Sequence, residues 1–137
     1  MSYLSKPNFV QTMANIATVL FALFIGMQLL LAAGILPVSI AWGGRQTELT
    51  PALRLASIAA ALILAFFIYI IRYRAGLIGA VPAPAWIRVA AWVVTGYMAL
   101  NTLGNFASVN NVERFVSGPI TIAITLACLV VAASRTE

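Results

Sequence analysis

The sequence alternates between four long apolar stretches and short segments that carry most of the polar residues. The apolar stretches predict α-helices over residues 9–34, 51–74, 85–106 and 111–134. Each predicted helix reaches the length of about 20 residues that a crossing of the bilayer requires. The pattern therefore predicts an all-α membrane protein, folded as one domain over residues 1–137 into an antiparallel bundle of four transmembrane helices.

The positions of the charged residues support this prediction. All of them lie between the four stretches or near their ends, and none lies in the middle of a stretch. An unpaired charge in hydrocarbon costs several kcal/mol, so charged side chains are expected at the water interfaces. Composition agrees, because 63% of the residues are apolar and only 8% are charged, against about 45–50% and about 25% in soluble domains.

Local signals set several helix ends. Thr50 can cap the second helix, and Pro51 suits its first position. The fourth helix has two possible starts, because Pro119 could begin it or could kink a longer helix that Asn110 caps. A start at Pro119 leaves only about 16 residues before the polar tail, which is short for a crossing. We therefore predict a fourth helix over 111–134, bent near Pro119.

The distribution of Lys and Arg predicts an orientation. With four crossings, both termini share one side of the membrane with the loop that follows the second helix. That side carries Lys6, Arg72, Arg74, Arg88 and Arg135, and the opposite side carries Arg45, Arg54 and Arg114. Because Lys and Arg are enriched in short cytoplasmic loops, we expect both termini in the cytoplasm. Short loops and no eukaryotic sorting signal favour a bacterial cytoplasmic membrane.

The basic residues are scattered singly, so nucleic acid is not an expected partner.

Several chemical classes are excluded by the residues that the chain lacks. It has no His and one Cys, and its acids are Glu48, Glu113 and Glu137. Ligation of haem or zinc by His is excluded, and one Cys cannot form a thiolate cluster, so no metal or cofactor is expected. An enzyme is not expected either, because catalysis usually needs a base, a nucleophile or a metal within reach. Proton-coupled transport usually needs an ionisable group near the midplane, and none lies there.

Small and polar residues recur at helical spacing along each predicted helix. They can be packing seams, because small residues let helices approach and polar side chains form hydrogen bonds between them. They can instead line a hydrated path or contact a second copy of the chain. The residues that would line such a path are Asn15, Thr18, Asn101, Asn105, Thr121 and Thr125.

The outer half of the predicted bundle has the densest group of polar residues. This group is the candidate site for a ligand or partner, and it consists of Gln28, Arg54, Asn101, Asn105, Glu113 and Arg114. We expect the outer turn to bring its two amides close to an ion pair between Glu113 and Arg114. The alternative is a capped loop whose Asn residues satisfy backbone groups at the helix ends.

Two functional classes remain. The first is a non-enzymatic binding or accessory component that associates with membrane lipids, with itself or with another membrane protein. The second is a passive channel or carrier for a neutral or weakly polar small solute. On the inner side, Arg72, Arg74 and Arg88 could bind anionic lipid headgroups at about 1 kcal/mol each, although the topology alone also explains these arginines.

Overall fold

A computed structural model describes residues 7–46 and 48–134, and within these ranges the chain is helical and has no β-strand. The all-α prediction is therefore confirmed. The four main helices are α1 (Pro7–Ala32), α2 (Pro51–Arg74), α3 (Ala85–Ala107) and α4 (Gly118–Ala133). Two short 3-10 turns, Val38–Ile40 and Trp42–Gly44, lie between α1 and α2, and a π-helical turn, Glu113–Ser117, leads into α4.

Three of the main helices are long and apolar enough to cross a membrane. These segments are Asn8–Ala32, Pro51–Arg74 and Glu113–Ala133. Their outward side chains are largely apolar, as lipid contact requires; Leu23 and Leu62, for example, are 60% and 68% exposed. The three segments indicate a membrane protein. Helix α3 is also long, at 23 residues, but Arg88 and two Asn residues make it less apolar.

Helices α1 and α2 form an antiparallel pair. The rings of Phe21 and Phe67 meet edge to face with centroids 6.0 Å apart. Nearer the start of α1, Arg72 Nη1 donates to Asn15 Oδ1 at 2.9 Å. The beginning of α1 therefore lies beside the end of α2. We call this end of the molecule, where α1 begins and α4 ends, the terminal end.

Helices α3 and α4 form a second antiparallel pair, which packs against the first. The hydroxyls of Thr102 and Thr125 are 3.3 Å apart. Contacts between α1 and α4 and between α2 and α3 join the two pairs. At the terminal end, Arg74 Nη2 donates to the carbonyl oxygen of Ser134, which joins the end of α2 to the end of α4. The opposite end, formed by segments 33–46 and 108–112, is called the loop end.

The entry into the fourth helix is irregular but continuous. Asn110 Oδ1 accepts from the backbone N–H groups of Val112 at 2.7 Å and Glu113 at 3.4 Å, so Asn110 caps the helical segment. Helical residues then run from 111 to 133, with the π-helical turn directly before Gly118. Pro119 explains the irregular turn, because its ring lacks an N–H and would clash with the carbonyl four residues earlier in a regular α-helix.

An apolar core occupies the middle of the molecule and its terminal half. Large side chains from all four helices fill it, and small residues between them let the helices approach. Its fully buried members include Val10, Ala14, Ala17, Phe21, Ile71, Ala91, Ile124, Cys128 and Val131.

Candidate ligand cavity

A cavity of about 300 Å³ lies at the loop end between the four helices. Its apolar lining comes from α1, α2 and α3 and includes Phe24, Met27, Ile63, Leu64, Tyr97 and Met98. Its polar lining comes from α1, α3 and the segment that leads into α4, and includes Gln28, Asn101, Asn105, Glu113, Ser117 and Thr121. The cavity therefore combines apolar and polar lining residues, which we call the apolar wall and the polar wall, as sites for small organic molecules commonly do.

Asn105 organises the polar wall. It is only 8% exposed, and its Nδ2 donates to Asn101 Oδ1 at 3.1 Å and to Thr121 Oγ1 at 3.3 Å. The four-residue spacing on α3 places the two amides on one helix face. The Thr121 hydroxyl in turn donates to the carbonyl oxygen of Gly118 at 2.8 Å. These bonds fix the Asn105 amide and link α3 to α4 beside the cavity.

Glu113 contributes a buried carboxylate to the same wall. It is 9% exposed, and its Oε1 accepts from the Ser108 hydroxyl at 2.7 Å. Among the residues that the structure describes, no cation forms an ion pair with it, and the expected pair with Arg114 does not form. Arg114 is exposed, and its guanidinium lies 5.4 Å from the ring centroid of Phe115. Because a carboxylate offers about four lone-pair positions, Glu113 can accept further hydrogen bonds.

Gln28 of α1 contributes an unpaired acceptor. Its Oε1 is buried and has no hydrogen-bond partner among the described residues. A buried polar atom without a partner costs about 1–3 kcal/mol, so such atoms are uncommon in folded proteins. Gln28 also lines the cavity, so a rotation of its side chain toward a bound molecule with a donor group would remove this cost.

Segment 33–46 covers the cavity at the loop end. Ala41, Trp42 and Gly43 line the cavity, and the carbonyl oxygen of Gly43 accepts from the backbone N–H of Val109 at 3.3 Å. A Cβ on Gly44 would lie 2.8 Å from the backbone nitrogen of Asn110. The two loops are therefore in close backbone contact. Trp42 has a φ of 56°, a left-handed conformation that few residues other than Gly adopt.

The structure brings together four of the six residues predicted for the ligand or partner site. Gln28, Asn101, Asn105 and Glu113 line one cavity, whereas Arg54 and Arg114 are exposed and do not line it. Sequence reasoning missed the covering residue Trp42 and the apolar wall. The Gly43-Gly44 pair beside Trp42 was the available signal for an unusual loop.

The predicted pore-lining residues lie in different places. Thr121 lines the cavity, and Thr125 is paired with Thr102. Thr18 accepts from Arg72 at 3.2 Å, beside the Asn15 contact at the terminal end. The apolar core lies between this terminal cluster and the cavity.

The three arginines predicted to bind lipid headgroups differ in their surroundings. Arg72 donates to α1, and Arg74 is 6% exposed and donates to Ser134. Arg88, near the start of α3, is exposed. Binding of headgroups by these residues stays a prediction, and Arg88 is the one whose side chain is most open to the surroundings.

No protein-family model, curated protein or solved structure gives a significant match to this chain. Within residues 7–46 and 48–134, no three His, Cys, Asp or Glu side chains are grouped in a way that could hold a metal ion. The residues that line the cavity therefore provide the basis for its chemistry.

Proposed function

We propose that this protein is a non-enzymatic membrane protein that binds a small molecule in the loop-end cavity. The observation that carries the proposal is the convergence of Gln28, Asn105 and Glu113, from three separate helical segments, on one cavity of about 300 Å³. This volume is at the lower end of the range of about 300–1,000 Å³ that is typical of ligand pockets. The Glu113 carboxylate can give a ligand a specific polar contact, and a rotation of the Gln28 side chain would add its Oε1, which is buried and has no partner among the described residues.

Binding is better supported than passive passage of a solute. A continuous path would have to join the cavity to the terminal cluster of Asn15, Thr18 and Arg72. Large apolar side chains, including Phe21 and Ile71, fill the core between them. Passage would require these residues to separate, whereas binding in the cavity leaves the core packed.

The proposal includes a topology in which α3 also crosses the membrane. Helix α3 packs against α2 and α4, and its least apolar part contributes Asn101 and Asn105 to the cavity, where the buried Asn105 is shielded from lipid. Both termini would lie in the cytoplasm and the loop end outside, in a bacterial cytoplasmic membrane, by the excess of Lys and Arg at the terminal end. Lys6 and Arg135, which contribute to that excess, lie outside the described residues.

A pair of glycines on α3 provides a direct test. Neither Gly104 nor Gly96 has an atom within 4 Å of an added Cβ, but only Gly104 lines the cavity. Gly104→Leu therefore introduces a side chain at the cavity wall, and Gly96→Leu makes the same change elsewhere on the helix. Each protein would be placed in lipid nanodiscs and titrated with a panel of neutral, cationic and anionic small molecules, with binding followed by NMR.

The expected result is a set of compounds that bind the wild type and Gly96→Leu but bind Gly104→Leu at least about tenfold more weakly. If no compound binds the wild type, or if both substitutions weaken binding equally, the loop-end cavity is not the binding site.

A further inference from the structure

We infer that the cavity selects a small organic ammonium ion, with the charged group bound by Glu113 and an apolar body bound by the apolar wall. This inference rests on the proposed binding function and adds the chemical class of the ligand. Two features carry it, the charge of the lining and its apolar and aromatic residues, and the acceptors of the polar wall complement an ammonium group.

The charge of the lining is negative and locally uncompensated. Glu113 is the only one of the described lining residues that carries a formal charge, and no Lys or Arg lines the cavity. A buried charge without a partner is costly, and an opposite charge placed beside it removes much of that cost. A cationic ligand supplies that opposite charge.

Acceptors of the polar wall can bind the charged group. Both N–H groups of the Asn105 amide donate within the protein, to Asn101 and Thr121. The Glu113 carboxylate can accept further hydrogen bonds, and Gln28 Oε1 has no partner among the described residues. An ammonium group offers donors and no acceptor, so it complements these atoms. The amides of Gln28 and Asn101 also carry N–H donors, so the charge of Glu113 is the feature that selects a cation.

The apolar wall suits the rest of an organic cation. The aromatic residues Phe24, Trp42 and Tyr97 are among its lining residues, together with the adaptable Met27 and Met98. Aromatic faces attract cations and also bind apolar groups. A calcium ion would need about 6–8 oxygen ligands, whereas the lining supplies a single carboxylate, so the features fit an organic cation better than a metal ion.

Probes of matched shape and different charge test the inference. Benzylamine, which is protonated at neutral pH, benzyl alcohol and phenylacetate share one ring and differ in the charge of the polar group. Their affinities would be measured by calorimetry in nanodiscs of phosphatidylcholine, which carries no net charge. We expect the wild type to bind benzylamine at least about tenfold more tightly than benzyl alcohol, and phenylacetate more weakly than either.

Two substitutions, each of which removes one negative charge, test whether Glu113 causes the preference for a cation. Glu113→Gln keeps the side-chain shape, whereas Glu48→Gln removes a charge from an exposed loop position. We expect Glu113→Gln to weaken benzylamine binding about tenfold and benzyl alcohol binding by a smaller factor, because the hydroxyl loses only a hydrogen bond and not an ion pair. Measurable benzyl alcohol binding also shows that the variant is folded. Glu48→Gln should change neither affinity.

The outcomes separate the two proposals. If benzyl alcohol or phenylacetate binds the wild type as tightly as benzylamine, the preference for a cation is wrong and the binding function stands. If none of the three probes binds and the broader panel also gives no binder, the proposed function itself fails. Equal loss of benzylamine affinity in Glu113→Gln and Glu48→Gln would mean that Glu113 is not the counter-charge.

Discussion

The Ser108 hydroxyl donates to Oε1 of Glu113 at 2.7 Å and accepts from the backbone N–H of Asn110 at 3.0 Å. One small side chain thus joins the end of α3, the loop and the cavity carboxylate. Ser108 is 5% exposed, so water cannot readily replace these bonds. The position of Glu113 in the cavity therefore depends on a residue that is not itself part of the cavity lining.

Ser108→Ala should destabilise the protein. The change leaves a buried carboxylate oxygen and a backbone N–H without this partner, which costs about 1–3 kcal/mol. The measurement is the free energy of unfolding in mixed micelles during titration with sodium dodecyl sulfate. Ser57 supplies the control, because it is 1% exposed and its Oγ has no hydrogen-bond partner among the described residues. Ser57→Ala should leave stability unchanged or increase it, and a larger loss there than in Ser108→Ala would contradict the role assigned to Ser108.

Gly44→Ala should weaken the contact between the two loops. Gly43 and Gly44 have φ values of 80° and 77°, so Ala is strained at either position. An added Cβ meets nothing within 4 Å at Gly43 but lies 2.8 Å from the Asn110 backbone nitrogen at Gly44. We expect Gly44→Ala to cost about 1 kcal/mol more than Gly43→Ala.

Amide hydrogen exchange gives a local measurement of the same contact. The Val109 N–H, which donates to Gly43, should exchange faster in Gly44→Ala than in Gly43→Ala. Equal exchange rates in the two variants would show that the close approach to Asn110 does not hold the loops together.

Arg72→Gln should loosen the pairing of α1 with α2. The substitution removes the hydrogen bonds from Arg72 to Asn15 and Thr18, and bonds of a charged donor contribute about 1.5–3 kcal/mol when buried and less near a surface. We expect a loss of about 1 kcal/mol in the free energy of unfolding. Arg88→Gln removes the same charge from an exposed position on α3 and should have a smaller effect. Equal losses of stability in the two variants would indicate that the removed charge, and not the hydrogen bonds to Asn15 and Thr18, causes the effect.

The proposed topology predicts opposite labelling of two introduced cysteines. With Cys128 replaced by Ser, Gln46→Cys should react with an impermeant thiol reagent on intact cells, because it lies at the loop end. Ser2→Cys should react only after the membrane is permeabilised. The reverse pattern would invert the orientation, and labelling of both positions from outside would show that α1 does not cross the membrane.

Much of the fold could be predicted because its signals are local. Long apolar stretches set the helices, and caps mark their ends; Thr50, for example, accepts from the backbone N–H of Leu53 at 3.1 Å. The cavity could be predicted in part because the position of a residue along a predicted transmembrane helix indicates its depth in the membrane. Gln28 and Asn105 were grouped with Glu113 on depth alone, and all three line the cavity.

The depth of a residue in the membrane does not show which way its side chain points around the helix. For this reason two residues of the predicted site, Arg54 and Arg114, are exposed and do not line the cavity. Trp42 lines the cavity because segment 33–46 folds back over the loop end. That position depends on a contact with Val109, far away in sequence, and no local pattern specifies it.

The apolar core has a thermodynamic consequence for the proposed ligand site. In the proposed topology, as long as Phe21, Ile71 and Ile124 stay packed, the cavity would exchange molecules with only one of the two aqueous compartments. Its occupancy would then follow the ligand's chemical potential in that compartment alone, and a concentration gradient across the membrane would perform no work on the protein. Such a site would report the composition of one compartment without dissipating the gradient between the two.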